Sequence, residues 1–145
     1  MTETTPIRIE RRIAAPPSVV YPYLVDPELT PRWLGVTSLI EASPGGRFML
    51  ESPNTMVAEG TVVEIVENEM VSFTWGWNGH PGIPPGSTLV KIELIPDGQG
   101  TLVRLTHSKL AAGDQPLHGA GWTHYLERLS RVIAGDDPGP DPGAG

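Results

Sequence analysis

The chain has 145 residues, 17 acidic against 10 basic side chains, a net charge of −7 and no cysteine. This length suits one domain with its own hydrophobic core, and the absence of cysteine excludes disulfides, thiolate metal sites and a thiol nucleophile. The acidic balance argues against nucleic acid and anionic membranes as partners, because both are bound by clustered Lys and Arg. The N-terminus has no basic-then-apolar signal peptide, so we expect a cytoplasmic protein.

The first predicted element is a strand that alternates with period two. Ile7, Ile9 and Ile13 share one face of it, and Arg11 falls on that same face. A buried arginine must be paired or lie in a wet cavity, since an unpaired buried charge is costly. Arg11 is therefore expected either to contact a ligand or, alternatively, to pair with a glutamate or reach past the sheet edge.

Two short helices and six more strands are predicted next. One helix covers residues 19–25 after a Ser18 cap, and Asp26-Pro27-Glu28 begins another that ends near Trp33. The remaining strands follow at hairpin spacing and are predicted at residues 37–42, 47–51, 57–66, 70–77, 88–95 and 101–108. The loop at residues 78–86 is interpreted either as a lid or as a rigid solvent loop.

A long amphipathic helix over residues 114–134 closes the predicted domain, which gives an α+β architecture. Trp122 marks the centre of its inner face, and Gly119 and Gly121 lie near that face. Each glycine costs a helix about 1 kcal/mol relative to alanine, so we expect close backbone approach or room for a ligand. Residues 1–134 are predicted to form the single domain, and residues 135–145 a flexible acidic tail rich in Gly and Pro.

Several ordered segments together resemble the SRPBCC superfamily (START, polyketide cyclase and birch-pollen-allergen proteins), and most closely its branch named after activators of the heat-shock-protein ATPase. The segments that carry the resemblance are Ile9-x-Arg11-x-Ile13-x-Ala15-Pro16, Pro44-Gly45-Gly46-x-Phe48, Phe73-Thr74-Trp75, Leu105-Thr106-His107-Ser108 and His118-x-x-Gly121-Trp122. The resemblance implies a helix-grip fold: a curved, seven-stranded antiparallel sheet around a long C-terminal helix, two short helices between strands 1 and 2, and an internal cavity.

Eight residues are the candidates for a ligand site in that cavity. Aromatic walls with a few polar groups are typical of small-molecule pockets. The walls are predicted to be Trp33, Phe73, Trp75, Trp122 and Tyr125. The polar contacts are predicted to be Arg11, His107 and His118. The alternative for each aromatic is plain core filling, and for each histidine a structural hydrogen bond.

We expect a binding protein for a small apolar or aromatic ligand, and not an enzyme. No catalytic residue, cofactor or metal is predicted: His118 and His124 lie on opposite helix faces, and no serine sits in a nucleophile elbow. Two alternatives remain open. One is an enzyme of the polyketide cyclase or aromatase type, and the other is an interaction module, either a chaperone regulator or a homodimer.

Overall fold

Seven strands and two α-helices make up the computed structural model, which describes residues 5–53 and 55–136. The strands are β1 (Ile7–Ile13), β2 (Thr37–Ile40), β3 (Arg47–Glu51), β4 (Val57–Val66), β5 (Met70–Trp75), β6 (Thr88–Asp97) and β7 (Gly100–Ser108). The helices are α1 (Pro17–Val25) and α2 (Gln115–Ile133), with short 3-10 turns at Thr30–Arg32 and Ala112–Asp114. The predicted α+β class and the predicted order of elements are confirmed.

The strands form one antiparallel sheet in the order β1-β7-β6-β5-β4-β3-β2. Neighbours in the chain are therefore neighbours in the sheet, except that β1 pairs with β7, with Ile7 opposite His107. The register of β4 against β5 shifts between Val62 and Glu64. Such an irregularity raises the local twist and bends the strand, and the sheet curls into a half-barrel.

Helix α2 lies against the concave face of the curled sheet. Its buried side chains recur at helical spacing, and β1 is among the strands that it contacts. The predicted inward sets on β5, β6 and β7 are buried: Val71, Phe73, Trp75, Val90, Ile92, Leu94, Val103, Leu105 and His107. The core therefore lies between the helix and the sheet, as the helix-grip fold requires.

Helix α2 ends in a left-handed cap formed by the first residues of the predicted tail. Gly135 has φ +84°. Its N–H donates to the Val132 carbonyl, and the Asp136 N–H donates to the Arg131 carbonyl. These two hydrogen bonds together form the Schellman motif. Gly135 and Asp136 thus belong to the helix cap, whereas residues 137–145 of the predicted tail lie outside the described residues.

Local differences from the predicted elements have identifiable causes. Helix α1 begins after Pro16 and has no side-chain cap, so the predicted Ser18 cap is wrong. Pro17 at the first helical position already has the backbone angle that a helix start needs. The predicted second helix is only a 3-10 turn, Thr30–Arg32.

Strand β5 ends at Trp75, two residues earlier than predicted, because the chain then folds back on itself. A Cβ on Gly76 would overlap the Pro84 carbonyl oxygen, so only glycine fits this close approach. The loop between β5 and β6 is tied to its surroundings by Trp77 N–H to the Ile83 carbonyl and Asn78 N–H to the Val57 carbonyl. These bonds favour the rigid interpretation of the loop over a lid.

The side chain of Arg11 is exposed, as in the alternative in which it reaches past the sheet edge. Its register opposite buried Val103 does place it on the inner face. However, β1 is the edge strand of the sheet, where a long side chain reaches solvent directly. The glutamates expected as alternative partners are Glu51 on β3 and Glu59 and Glu64 on β4, and these strands lie at the other side of the sheet.

Across the described ranges, neither helix combines the length and apolar character that crossing a membrane would require.

Candidate functional site

An aromatic cluster lies between α2 and the ends of β5 and β7. Its rings contact one another directly: Trp75 lies 5.1 Å from Trp122 between ring centroids, and His107 meets His118 edge to face at 5.5 Å. The aromatic cluster consists of Trp75, Trp77, His107, His118, Trp122 and Tyr125. Its members come from one end of the sheet, at and after the C-terminal ends of β5 and β7, and from one face of α2. The sheet register and the rotation of α2 therefore position the cluster together.

His107 is held in a directed chain of hydrogen bonds. The Trp122 Nε1–H donates to His107 Nδ1 at 3.0 Å, so this nitrogen carries no proton. The proton of the neutral ring is then on Nε2, which lies 2.8 Å from Thr88 Oγ1. The Thr88 hydroxyl in turn donates to the Trp75 carbonyl at 2.8 Å. The chain therefore connects α2, β7, β6 and β5 and fixes a single tautomer of His107.

Burial keeps His107 neutral over the ordinary pH range. Its side chain is fully buried. Desolvation, with a smaller contribution from the nearby His118, lowers the pKa of His107 to about 3. A general base near neutral pH needs a pKa near the working pH and a free lone pair. His107 has neither, because its acceptor nitrogen is already bound by Trp122.

His118 holds a second indole in the same way. The Trp77 Nε1–H donates to His118 Nε2 at 2.9 Å, and the other ring nitrogen, Nδ1, lies 2.8 Å from the Asp114 carbonyl oxygen. Nδ1 therefore donates to that carbonyl in the neutral ring. Both nitrogens of this histidine are engaged, and the side chain connects the first turn of α2 to the segment after β5.

Trp75 is the third indole of the cluster, and its N–H differs from the other two. The Trp75 side chain is 2% exposed. Within residues 5–53 and 55–136, its Nε1 has no hydrogen-bond partner. Leaving a buried donor unsatisfied costs about 1–3 kcal/mol. The cluster thus holds a polar group, the Trp75 N–H, that none of the described residues satisfies.

Burial decreases from the floor of the cluster to its rim. His107 and Trp122 are 0% and 2% exposed, whereas His118 and Tyr125 on the helix are 8% and 9% exposed. Gly121 is the helical neighbour of both rim residues, at i+3 and i−4. A Cβ on Gly121 would meet no atom within 4 Å. Helix α2 therefore leaves open space beside the rim of the aromatic cluster.

The other helix glycine has a different environment. A Cβ on Gly119 would lie 4.0 Å from Ile7 Cγ2 of β1, an ordinary van der Waals distance. Gly119 thus faces the sheet edge, and Gly121 faces open space.

The predicted site residues separate into three groups. Trp75, His107, His118, Trp122 and Tyr125 meet in the aromatic cluster. Phe73 lies one layer deeper and stacks on Phe48 at 4.1 Å. Phe48 contacts Trp75 at 5.4 Å, so Phe73 supports the cluster from below.

Trp33 and Arg11 lie apart from the cluster. Trp33 is fully buried, and its indole N–H donates to the Tyr23 carbonyl at 2.8 Å, which ties the 3-10 turn to α1. The ring contacts of the described residues do not join it to the cluster. Arg11 is exposed at the sheet edge.

Trp77 and Thr88 are cluster contacts that the sequence analysis missed. The signal for Trp77 was present, because it follows Trp75 by two residues and a strand repeats its facing at that interval. Thr88 gave no such signal, since a threonine at a strand start is ordinary. Among residues 5–53 and 55–136, no three His, Asp or Glu side chains come together as metal ligands.

A family model described as "Activator of Hsp90 ATPase homolog 1-like protein" matches residues 14–134. The chain belongs to this family. The resemblance to the SRPBCC superfamily and to this branch of it is thereby confirmed. No match is found among curated proteins.

Solved structures include similar proteins. The AHSA1-like protein of Rhizobium etli is 44% identical, with 97% of this chain and 89% of that chain covered and a TM-score of 0.74. CalU16 of Micromonospora echinospora is 26% identical, with 93% and 77% covered and a TM-score of 0.76. The Aha1 dimer of Colwellia psychrerythraea is 18% identical, with 95% and 100% covered and a TM-score of 0.77, and shows the shared fold alone.

Proposed function

We propose that this protein binds a small apolar or aromatic molecule at the aromatic cluster, between α2 and the sheet. The observation that carries the proposal is the open space beside Gly121, next to the rim residues His118 and Tyr125. A helix glycine without a close neighbour costs stability, so another requirement has to favour it. Access to the cluster is such a requirement, and the internal cavity expected of the fold would lie behind it.

The chemistry of the cluster favours binding over acid–base catalysis. The nitrogens of His107 and His118 are engaged by Trp122, Thr88, Trp77 and a backbone carbonyl. The low pKa of His107 leaves it neutral where a cyclase would need a base or an acid. Aromatic rings offer a ligand apolar contact area and edge-to-face packing instead. A cytoplasmic carrier or receptor of a hydrophobic molecule fits these properties.

Native mass spectrometry of gently purified protein tests the proposal. We expect a co-purified small molecule, or binding of added 2-ethylnaphthalene detected by quenching of tryptophan fluorescence. A Gly121→Leu variant fills the space beside the rim and should weaken binding at least about 10-fold, the loss of more than 1.4 kcal/mol. Ala120→Leu adds the same side chain at an exposed position of the same helix and should leave binding unchanged.

Two results would contradict this proposal. One is the absence of any co-purified mass together with no binding of 2-ethylnaphthalene. The other is equal binding by the Gly121→Leu and Ala120→Leu variants, since access beside Gly121 would then be irrelevant.

A homodimer is a second proposal, carried by a different observation. Leu117 is 77% exposed and lies one helical turn before Gly121. A similar fold from Colwellia psychrerythraea forms a dimer. A pair of chains that covers Leu117 would also cover the rim of the cluster. Sedimentation of the wild type and of Leu117→Glu tests this: the variant should shift to the monomer, and a monomeric wild type overturns the proposal.

A further inference from the structure

Resting on the proposed function, we infer that the bound molecule is neutral and presents a hydrogen-bond acceptor, such as a ketone or ether oxygen, to the Trp75 Nε1–H. The molecule would enter beside Gly121 and place its apolar body against the rings of the aromatic cluster. Its acceptor oxygen reaches the floor of the cluster, where Trp75 lies.

The hydrogen-bond acceptor of the ligand is inferred from the three indoles of the cluster. Two of their N–H groups are satisfied by histidine acceptors, Trp77 by His118 and Trp122 by His107. In the chain as described, the Trp75 N–H has no such acceptor. Buried polar groups in native proteins almost always have a partner, and exceptions point to an absent ligand or water. Indole N–H is a donor only, so the missing partner is an acceptor.

The neutral character of the ligand is inferred from the charge of the cluster. Its six members are aromatic or histidine side chains, and the two histidines are neutral in the hydrogen-bond pattern described above. Arg11, the one cation predicted to face a ligand, is exposed at the sheet edge. A carboxylate at the floor would lose its hydration without gaining a counter-charge from any member of the cluster, which is strongly unfavourable. A neutral oxygen pays a far smaller desolvation cost.

Three naphthalene probes of similar size separate the possibilities. 2-Acetonaphthone has a neutral acceptor, 2-ethylnaphthalene replaces it with an apolar group, and 2-naphthoate carries a charge. One net hydrogen bond corresponds to about a 2- to 10-fold gain in affinity. We expect 2-acetonaphthone to bind by about that factor more tightly than 2-ethylnaphthalene, and 2-naphthoate to bind most weakly of the three.

A matched pair of tryptophan variants locates the preference. Trp75→Phe removes the unsatisfied donor and should make the affinities for 2-acetonaphthone and 2-ethylnaphthalene equal. Trp33→Phe removes a buried indole outside the cluster, whose N–H binds the Tyr23 carbonyl, and should keep the preference. In wild-type protein, the Trp75 indole proton should move downfield in NMR spectra with 2-acetonaphthone, and further than the indole protons of Trp77 and Trp122.

The outcomes distinguish this inference from the proposed function. Equal affinity of the wild type for 2-acetonaphthone and 2-ethylnaphthalene, or an unmoved Trp75 indole proton, overturns the inference while ligand binding stands. Tighter binding of 2-naphthoate overturns the neutral character of the ligand. If none of the three probes binds, the inference fails; if in addition no molecule co-purifies with the protein, the ligand-binding proposal fails with it.

Discussion

The pH dependence of stability is the sharpest test of the neutral state of His107. The unfolded chain binds a proton at this histidine below about pH 6.5, the ordinary value. The native protein does so only below about pH 3. Protonation of His107 therefore does not reduce the free energy of unfolding above pH 6.5, but it reduces it progressively as the pH falls from 6.5 towards 3.

The size of this pH effect on stability follows from the difference between the pKa of His107 in the unfolded chain and in the native protein. One proton bound only by the unfolded state lowers the free energy of unfolding by about 1.4 kcal/mol per pH unit. Between pH 6.5 and pH 4.5, the contribution of His107 alone should be a loss of about 2 kcal/mol.

The assay is urea unfolding followed by far-UV circular dichroism at several pH values across this range. Other titrating groups also contribute, so the wild type is compared with His107→Gln. Glutamine cannot titrate, yet its amide can still accept from Trp122 and donate to Thr88. The wild type should lose about 2 kcal/mol more than this variant between pH 6.5 and pH 4.5.

Thr88→Val is the control for the pH experiment, because it removes the Thr88 hydroxyl but keeps the histidine. It should lower the stability by about 1–3 kcal/mol at every pH and retain the steep pH slope. Parallel slopes for the wild type and His107→Gln would refute the reasoning, since His107 would then titrate as readily in the native protein as in the unfolded chain.

Three glycine substitutions should change stability in different directions, each measured by thermal and urea unfolding. Gly60→Ala should destabilise by about 1–3 kcal/mol or more, because its Cβ would overlap the Thr74 carbonyl oxygen on the neighbouring strand; an unchanged unfolding midpoint would contradict this close approach. Gly121→Ala should stabilise by about 0.5–1 kcal/mol, because nothing lies within 4 Å of the new atom and alanine favours a helix; a loss of stability would show that the space is filled. Gly135→Ala should destabilise by about 1 kcal/mol through its φ of +84°, and no loss would mean that the helix cap does not form in solution.

The strands of the sheet, the long helix and their buried faces could be predicted from the sequence, because the hydrophobic residues in them recur with simple periods. The inward positions of β5, such as Phe73 and Trp75, fall at every second residue, although Ser72 is buried as well, and the buried face of α2 repeats around Trp122. Arg11 follows the same alternation, yet it is exposed, because alternation fixes the facing of a residue but not whether its strand is at the edge. Strand order is a tertiary property that a single strand does not encode.

The hydrogen-bond pairs of the site could not be predicted in the same way. The contacts of Trp122 with His107 and of Trp77 with His118 depend on how α2 is rotated against the sheet. These hydrogen bonds form only when the atoms are placed to within a fraction of an ångström. Sequence spacing places such groups in one region but does not determine which atoms come within hydrogen-bond distance. The open space at Gly121 is a further case: the unfavourable helix glycine indicated that something was required there, but not which side of the helix was open.

The same bonds decide how the site can be used. For His107 to act as a base, it would have to release the Trp122 N–H, and for His118 the Trp77 N–H. Release of Trp122 would leave a buried indole donor unsatisfied, at about 1–3 kcal/mol, and release of Trp77 a part-buried one, in a cluster where the described residues already leave Trp75 without a partner. A molecule that instead accepts from Trp75 removes an existing cost and disturbs neither histidine. Binding is therefore the use of this cluster that its hydrogen bonds favour, and proton transfer by the histidines is the use that they oppose.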